Sequence, residues 1–185
     1  NGKVDYATIN STLVDKYKGK DTFTTFNEGF LFYLNLNFQV KTLADKNVRE
    51  ALSYAINRKD LCENVLKDGS KAATGMVPSQ LSKSPAGKDF RDDAGVLVGY
   101  DVKKAQEYLD AAKKELGTDT ITVDLLYGTD ESPMDTMAEY LQGSFSKLKG
   151  LKVNMVATVK KDRIYNRQAN GNYQIACTRW GPDYA

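Results

Sequence analysis

Hydrophobic positions along this 185-residue chain follow two different periods, and the first part of the chain shows the pattern of β-strands. Residues 30–38 form an apolar and aromatic run, FLFYLNLNF, which is typical of a buried strand. Residues 21–26, DTFTTF, are rich in β-forming residues and predict another extended segment just before it. A short amphipathic stretch at residues 4–17 precedes both segments.

The clearest helix is predicted over residues 47–69, NVREALSYAINRKDLCENVLKDG. Its apolar residues recur at helical spacing and form one stripe: Val48, Ala51, Leu52, Ala55, Ile56, Cys62, Val65 and Leu66. Asn47 stands three residues before Glu50, which is the spacing of a capping box with Asn as the N-cap. Gly69 then predicts the end of the helix.

From residue 101 onward, predicted helices and strands alternate. Asp101 is expected to cap a helix that ends at Gly117. A second helix starts near residue 132, with Ser132 as its cap, Pro133 in its first turn and Asp135 completing the capping box. The remaining segments read as strand (TITVDLLYG), strand (LKVNMVAT), helix (KKDRIYNRQANG) and strand (YQIACTRW). This alternation predicts one α/β domain over residues 1–185 with a largely parallel sheet flanked by helices.

Residues 70–99 interrupt this regular pattern. They contain Pro78, Pro85 and several glycines and serines, and no clear helical or strand period. Such a length is unusual for a structureless loop inside a compact domain. We therefore expect this segment to wrap a surface or to carry function.

Composition excludes several classes of function. The chain is 41% hydrophobic and 27% charged with a net charge of +2, which is typical of a globular domain and gives no basic stripe for nucleic acid. It has no histidine, so Ser-His and Cys-His nucleophiles and His-ligated metals are excluded. No GxGxxG or GxxxxGK[ST] loop is present, and no cofactor is predicted. Cys62 and Cys177 favour two separate buried thiols, with a long-range disulfide as the alternative.

Two pairs of adjacent acids are candidates for acid–base chemistry. Asp92–Asp93 and Asp130–Glu131 both fall in predicted loops or turns. Carboxylates in such positions are usually solvated, so we interpret both pairs as exposed surface. An α/β enzyme that uses carboxylates is accordingly a distant alternative for this chain.

The segment RWGPDY, residues 179–184, is the strongest candidate for a binding site. Trp180 offers a broad apolar surface with one hydrogen-bond donor, Gly181 and Pro182 fix a turn, and Asp183 adds a carboxylate. The segment follows the last predicted strand, and ligands of such sheets gather beyond the carboxyl ends of the strands. An acid beside an aromatic surface suits a cation. The alternative is a turn that ends a strand, with Trp180 as a buried anchor.

Four ordered motifs resemble the solute-binding proteins that serve peptide-importing ABC transporters. The helix signature of that family is matched by Leu36, Asn37, Val48, Arg49, Ala51, Leu52, Ala55, Ile56, Asn57 and Arg58. The family's Gly-x-x-Pro loop is similar to GMVP (75–78), its Tyr-Asp-x-x-Lys-Ala helix to GYDVKKAQEYLDAA (99–112), and its Trp-x-x-Asp-Tyr stretch to RWGPDYA (179–185).

The resemblance implies a two-lobed periplasmic-binding-protein-like fold of type II, closing over its ligand, with this chain as the second lobe. It implies a receptor without catalytic activity that captures short peptides. In peptide-binding members of the family the acid of the last motif receives the peptide's α-ammonium, which here implies Asp183. The backbone around Arg179, Trp180 and Gly181 would then pair with the peptide. Whether Arg163, Arg167 or Arg179 holds the ligand's carboxylate stays open.

The resemblance also implies partners and a location. The expected partners are short peptides, the permease subunits of an ABC transporter and the first lobe of the same protein. The expected location is extracytoplasmic, in a periplasm or lipid-anchored to the outer face of a membrane, with the signal upstream of Asn1. A receptor of the same fold for a non-peptide solute, such as chelated nickel or an oligosaccharide, is the alternative, and so is a receptor for a peptide pheromone.

Overall fold

Four strands form one sheet in the order β1-β4-β2-β3 in the computed structural model, which describes residues 3–9 and 11–183. The strands are β1 (Leu31–Leu36), β2 (Ile121–Gly128), β3 (Leu151–Thr158) and β4 (Ile175–Trp180). Strand β2 pairs in parallel with both β3 and β4, whereas β1 pairs antiparallel with β4. The predicted, largely parallel α/β sheet is therefore confirmed.

Helices α3, α6 and α7 pack against one face of this sheet and enclose the core. The α-helices are α1 (Ser11–Tyr17), α2 (Lys41–Ala44), α3 (Lys46–Ala55), α4 (Arg58–Asp60), α5 (Phe90–Ala94), α6 (Val102–Leu116) and α7 (Met134–Phe145). Two π-helices follow α4 and β3, at Leu61–Leu66 and Asp162–Gln168. Ile121, Val123 and Leu125 alternate along β2 and are buried against α3, α6 and α7. Burial of each such side chain contributes about 1.5–3 kcal/mol to folding.

The start of α3 differs from the prediction by two residues. Asp45, not Asn47, is the N-cap, and its carboxylate accepts a hydrogen bond from the backbone N–H of Val48 at 3.1 Å. Asn47 lies inside the helix and donates its side-chain amide to Glu115 of α6 at 2.9 Å. Both residue types cap helices well, so the local sequence alone does not choose between them.

The predicted long helix over 47–69 is also interrupted. Ile56 adopts an extended conformation with ψ of 112°, and the side chain of Asn57 then caps α4 by accepting a hydrogen bond from the N–H of Asp60 at 3.0 Å. The π-helix that continues α4 ends at Lys67, whose φ of 52° is left-handed, so Gly69 is not the stop. The predicted apolar stripe is not buried along its whole length. Val48, Ala51, Leu52, Ala55 and Ile56 belong to the core, whereas Cys62 is only partly buried and Val65 is exposed.

The predicted N-cap of α6 is confirmed, and the predicted N-cap of α7 is wrong. Asp101 caps α6 by accepting the N–H three residues later, and Gly117 ends the helix with φ of 67°, both as predicted. Ser132 does not cap α7, because Pro133 takes the N-cap position and no side-chain cap is formed there. Asp135 accepts a hydrogen bond from the N–H of the next residue instead of closing a capping box.

Two segments carry little regular structure. Residues 21–26 pair with no strand among the described residues, so the predicted extended segment does not join the sheet. Between residues 67 and 101, the regular elements are α5 and an isolated bridge between Lys83 and Asp89.

Cys62 and Cys177 are separate free thiols, as the favoured interpretation predicted, although Cys62 is only partly buried. Within the described ranges, no helix has the length and apolarity needed to cross a membrane.

Candidate functional site

Strands β2 and β4 separate at their carboxyl ends. They pair at two positions only, and the second is Leu126 opposite Ala176. Beyond this pair, β2 continues to Gly128 beside β3, and β4 continues to Trp180 beside β1. We call the space between residues 127–128 of β2 and residues 177–180 of β4 the fork. It lies where ligands of parallel sheets are found, outside the carboxyl ends of the strands.

The fork exposes one unpaired edge of β4. The register from Leu31–Trp180 onward places Asn37 opposite Gln174, and the Asn37 N–H donates to the Gln174 carbonyl at 2.9 Å. Because backbone bonds alternate along an antiparallel pair, even-numbered residues of β4 face β1 and odd-numbered residues face β2. Arg179 therefore directs its N–H and C=O into the fork, where no described strand pairs with it. Such an edge can receive an extended peptide.

Residues 29–30 and 179–182 interlock at the end of this edge. A Cβ on Gly181 would lie 2.5 Å from the ring of Phe30, so only glycine fits there without a shift. The Arg179 guanidinium lies over the same ring, 5.1 Å from its centroid. The ring of Pro182 lies next to Gly29. Phe30, which sequence reasoning assigned to a buried strand, thus fixes the segment that follows β4.

The other two predicted site residues are exposed. The side chain of Trp180 is 70% exposed, so the alternative of a buried anchor is wrong. Asp183 is exposed as well, and the described residues give its carboxylate no hydrogen-bond or ion-pair partner. The structure therefore brings Arg179, Trp180, Gly181 and Asp183 together on one open rim, and it leaves the acid free.

The three arginines that were candidates for a ligand carboxylate differ in exposure. Arg163 is 1% exposed and cannot meet a ligand at the surface. Arg167 pairs with Asp162, its Nε lying 3.1 Å from a carboxylate oxygen. Arg179 is exposed beside the rim, held over Phe30.

The interpretation of Asp130–Glu131 as exposed surface is wrong for the second residue. Glu131 is 7% exposed in its side chain, and one carboxylate oxygen accepts hydrogen bonds from Nε and Nη2 of Arg163 at 2.9 and 2.8 Å. Asp130 is exposed and accepts the N–H of Lys160 at 2.7 Å. Gly128 ends β2, and a Cβ there would lie 2.5 Å from the Glu131 carboxylate.

Two half-open concavities of the described residues lie elsewhere. One of about 250 Å³ is on the sheet face away from α3, α6 and α7, lined by Asp124, Leu126, Val156, Arg167, Asn172, Tyr173 and Gln174. A second of about 590 Å³ runs between α7 and β3. Neither of these two concavities includes residues 179–183. Across the described part of the chain, no cluster of three or more acids and cysteines is placed to hold a metal ion.

Comparison with known proteins adds a family to this geometry. Residues 1–185 match the family model described as bacterial extracellular solute-binding proteins, family 5 Middle. A dipeptide-binding protein of Lactococcus lactis subsp. cremoris (strain MG1363) is 32% identical over the whole chain, which covers 35% of that protein. The chain thus spans about a third of the length of the curated relatives it matches.

Solved structures agree in fold. The substrate-binding domain of an oligopeptide ABC transporter from Bacillus anthracis str. Ames superposes with a TM-score of 0.88 and 32% identity, over 99% of this chain and 36% of that one. The pheromone receptor PrgZ, described with its mode of peptide binding, gives a TM-score of 0.85 and 32% identity, over 96% and 35% of the two chains.

Proposed function

This chain belongs to family 5 of the bacterial extracellular solute-binding proteins, and we propose that the protein containing it captures short peptides for an ABC importer. One observation carries the proposal: the backbone edge at Arg179, which no described strand pairs, is followed four residues later by Asp183, an exposed acid with no partner among the described residues. An extended peptide with a free amino terminus offers the complement of both features.

The chemistry of capture follows from these groups. The peptide backbone adds to the edge of β4 and exchanges hydrogen bonds with Arg179, which reads no side chain. The α-ammonium meets Asp183, and a hydrogen bond of this charge-assisted kind contributes roughly 1.5–3 kcal/mol. Trp180 provides an apolar wall beside the bound chain. Gly181 keeps this segment in place because Phe30 packs against it.

The proposal extends to the parts of the protein outside this chain. A second lobe closes over the peptide and supplies the remaining contacts, and permease subunits at the membrane receive the ligand. The protein works outside the cytoplasm, in a periplasm or attached to the outer face of the membrane by a lipid. It binds and releases its ligand without chemical change. The family description supports a location outside the cytoplasm, and the similarity to the substrate-binding domain of an oligopeptide ABC transporter supports the role in import.

A peptide pheromone receptor is the second candidate. Its support is the similarity to PrgZ, whose identity of 32% equals that of the transporter-related structure. The two functions differ in selectivity, because a nutrient receptor accepts many sequences and a pheromone receptor accepts one.

The test is to purify the full-length protein under native conditions and to identify extracted ligands by mass spectrometry. A mixture of short peptides supports uptake, and one defined peptide supports pheromone sensing. Titration of the stripped protein with tri-L-alanine, followed by calorimetry, checks binding directly. Recovery of only a sugar or a metal complex, with no heat from tri-L-alanine, overturns the peptide assignment.

A further inference from the structure

A buried ion pair lies next to the fork. Arg163, in the second π-helix, is the largest of the fully buried side chains, and Glu131 is its partner. The Arg163 Nη1 also donates to the side-chain carbonyl of Gln168. All three nitrogens of the guanidinium thus have a hydrogen-bond partner, which is the usual condition for a buried arginine. We call the contact between Glu131 and Arg163 the brace.

The brace joins segments that follow two different strands. Glu131 belongs to the loop between β2 and α7, and Arg163 belongs to the helix that follows β3. The Glu131 carboxylate rests against Gly128, the last residue of β2. On β4, burial raises the pKa of the Cys177 thiol to about 12, while the charge of Arg163 acts in the opposite direction. The brace therefore lies close to both sides of the fork.

The backbone N–H of Gly128, the last residue of β2, has a hydrogen-bond partner outside the sheet. The backbone N–H of Ile121 donates to the carbonyl of Gly150, just before β3, and that of Thr129 donates to the carbonyl of Thr158, at the end of β3. Odd-numbered residues of β2 therefore face β3, and even-numbered ones face β4. The N–H of Gly128 is thus directed toward β4, where the Cys177 carbonyl would be its next partner in a regular ladder. It contacts the sulfur of Met134 instead, at 3.3 Å. Met134 begins α7, directly after the loop that carries Glu131.

Stability alone does not account for the brace. Removing two charges from water costs free energy, and a well-packed apolar pair of similar volume often gives an equally stable protein. In addition, the second Glu131 oxygen is buried with no hydrogen-bond partner among the described residues, and the Lys160 ammonium is 3.9 Å from it. Because the pair adds little net stability, its position beside the fork indicates a different role for it.

We propose that Glu131 and Arg163 are positioning residues that keep the fork open. They hold the loop after β2 in the conformation in which the Gly128 N–H bonds to the Met134 sulfur and not to a carbonyl of β4. The backbone of Arg179 consequently stays unpaired until a ligand adds to it. The ligand in this statement rests on the proposed function, but the open fork is a property of the ligand-free protein.

The test is the double variant E131Q/R163M in the full-length protein. Removing both charges together avoids an uncompensated buried ion, so we expect a folded protein with a melting temperature near that of the wild type. The Gly128 and Arg179 backbones then become free to pair. Hydrogen exchange of the Arg179 amide, measured without ligand, should slow by about 10-fold or more. The affinity for tri-L-alanine should fall by about 10-fold.

A matched control is D110N/K113M, which removes an ion pair of 2.7 Å on α6, away from the fork. Neither exchange at Arg179 nor peptide affinity should change there. The inference is overturned if E131Q/R163M exchanges and binds like the wild type. If the double variant does not fold, Arg163→Lys keeps the charge but loses the forked geometry. Arg163→Lys should also slow hydrogen exchange of the Arg179 amide and weaken binding of tri-L-alanine. Unchanged values of both would again overturn the inference.

The two proposals fail in different ways. A wild-type protein that binds no peptide contradicts the proposed function, and the exchange measurement still decides whether the brace controls the fork. A wild-type protein that binds peptide, with a double variant that equals it in both measurements, contradicts only the inference.

Discussion

The segments after β2 and after β4 begin alike and end in opposite environments. Each has a glycine against which another side chain packs, and each has an acid two or three residues later: Gly128 with Glu131, and Gly181 with Asp183. Glu131 is buried against a guanidinium, whereas Asp183 is exposed and has no partner among residues 3–9 and 11–183. The difference shows that an acid at the carboxyl edge of a sheet is buried or exposed according to what the neighbouring segments bring to it.

The largest effect on stability is expected from removing one partner of the buried pair Glu131–Arg163. Arg163→Met leaves Glu131 buried with its main countercharge removed, and we expect the free energy of unfolding to fall by about 3–5 kcal/mol. Urea unfolding of the full-length protein measures this loss. Asp183→Asn is the control and should leave the unfolding midpoint unchanged, because its side chain is exposed. Equal midpoints for Arg163→Met and the wild type would show that the pair is not structural.

The exposed side is tested by binding. Asp183→Asn should weaken peptides with a free amino terminus by about 10- to 100-fold, the equivalent of one charge-assisted hydrogen bond. Their N-acetylated forms lack the ammonium and should bind both proteins equally. Calorimetric titration of both peptide forms into both proteins provides the measurement. The same loss for both forms would contradict contact between Asp183 and the ammonium.

A smaller effect is expected from the glycine that holds the rim. Gly181→Ala places a methyl group 2.5 Å from the Phe30 ring, and displacement of that ring should cost about 1–3 kcal/mol of stability. Peptide affinity should fall as well, because Arg179 and Asp183 flank the displaced backbone. Thermal unfolding and titration report the two effects.

Gly143→Ala is the matched control for that variant. Gly143 lies within α7, and no atom lies within 4 Å of its added Cβ. This change should raise stability by up to about 1 kcal/mol through helix propensity, without altering affinity. Loss of stability in Gly143→Ala, or none in Gly181→Ala, would contradict the contacts described here.

The smallest effect concerns a third acid, which follows β3. Hydrogen bonds from Asn166 and Thr158, then from Arg167, lower the pKa of Asp162 from 3.8. Its folded pKa is thus below the unfolded one, so its stabilising contribution is complete above about 3.8 and disappears as the pH falls through the folded pKa. Asp162→Asn should therefore be less stable than the wild type at neutral pH, with the difference shrinking in acid. Urea midpoints across this range test it, and a constant difference would contradict it.

The predictions that succeeded depend on short stretches of chain. Alternation in β2 and the cap and stop of α6 at Asp101 and Gly117 are set within a few residues, so the pattern suffices. The choice of Asp45 over Asn47 as a cap was missed, because both are suitable caps and the contact with Glu115 on another helix decides. The binding role that the family motifs imply for residues 179–183 stays a prediction, and no local pattern indicated that Phe30 packs against Gly181.

The sequence by itself determined the order of the four strands and of helices α3, α6 and α7, since apolar periodicity acts over one or two turns or a few strand residues. The tertiary structure decided which charges are free. Glu131 is buried because the helix after β3 brings Arg163 to it. Arg179 has an open backbone edge because β2 stops pairing with β4 at Leu126. Both outcomes depend on contacts between residues far apart along the chain, and local patterns carry no record of those contacts.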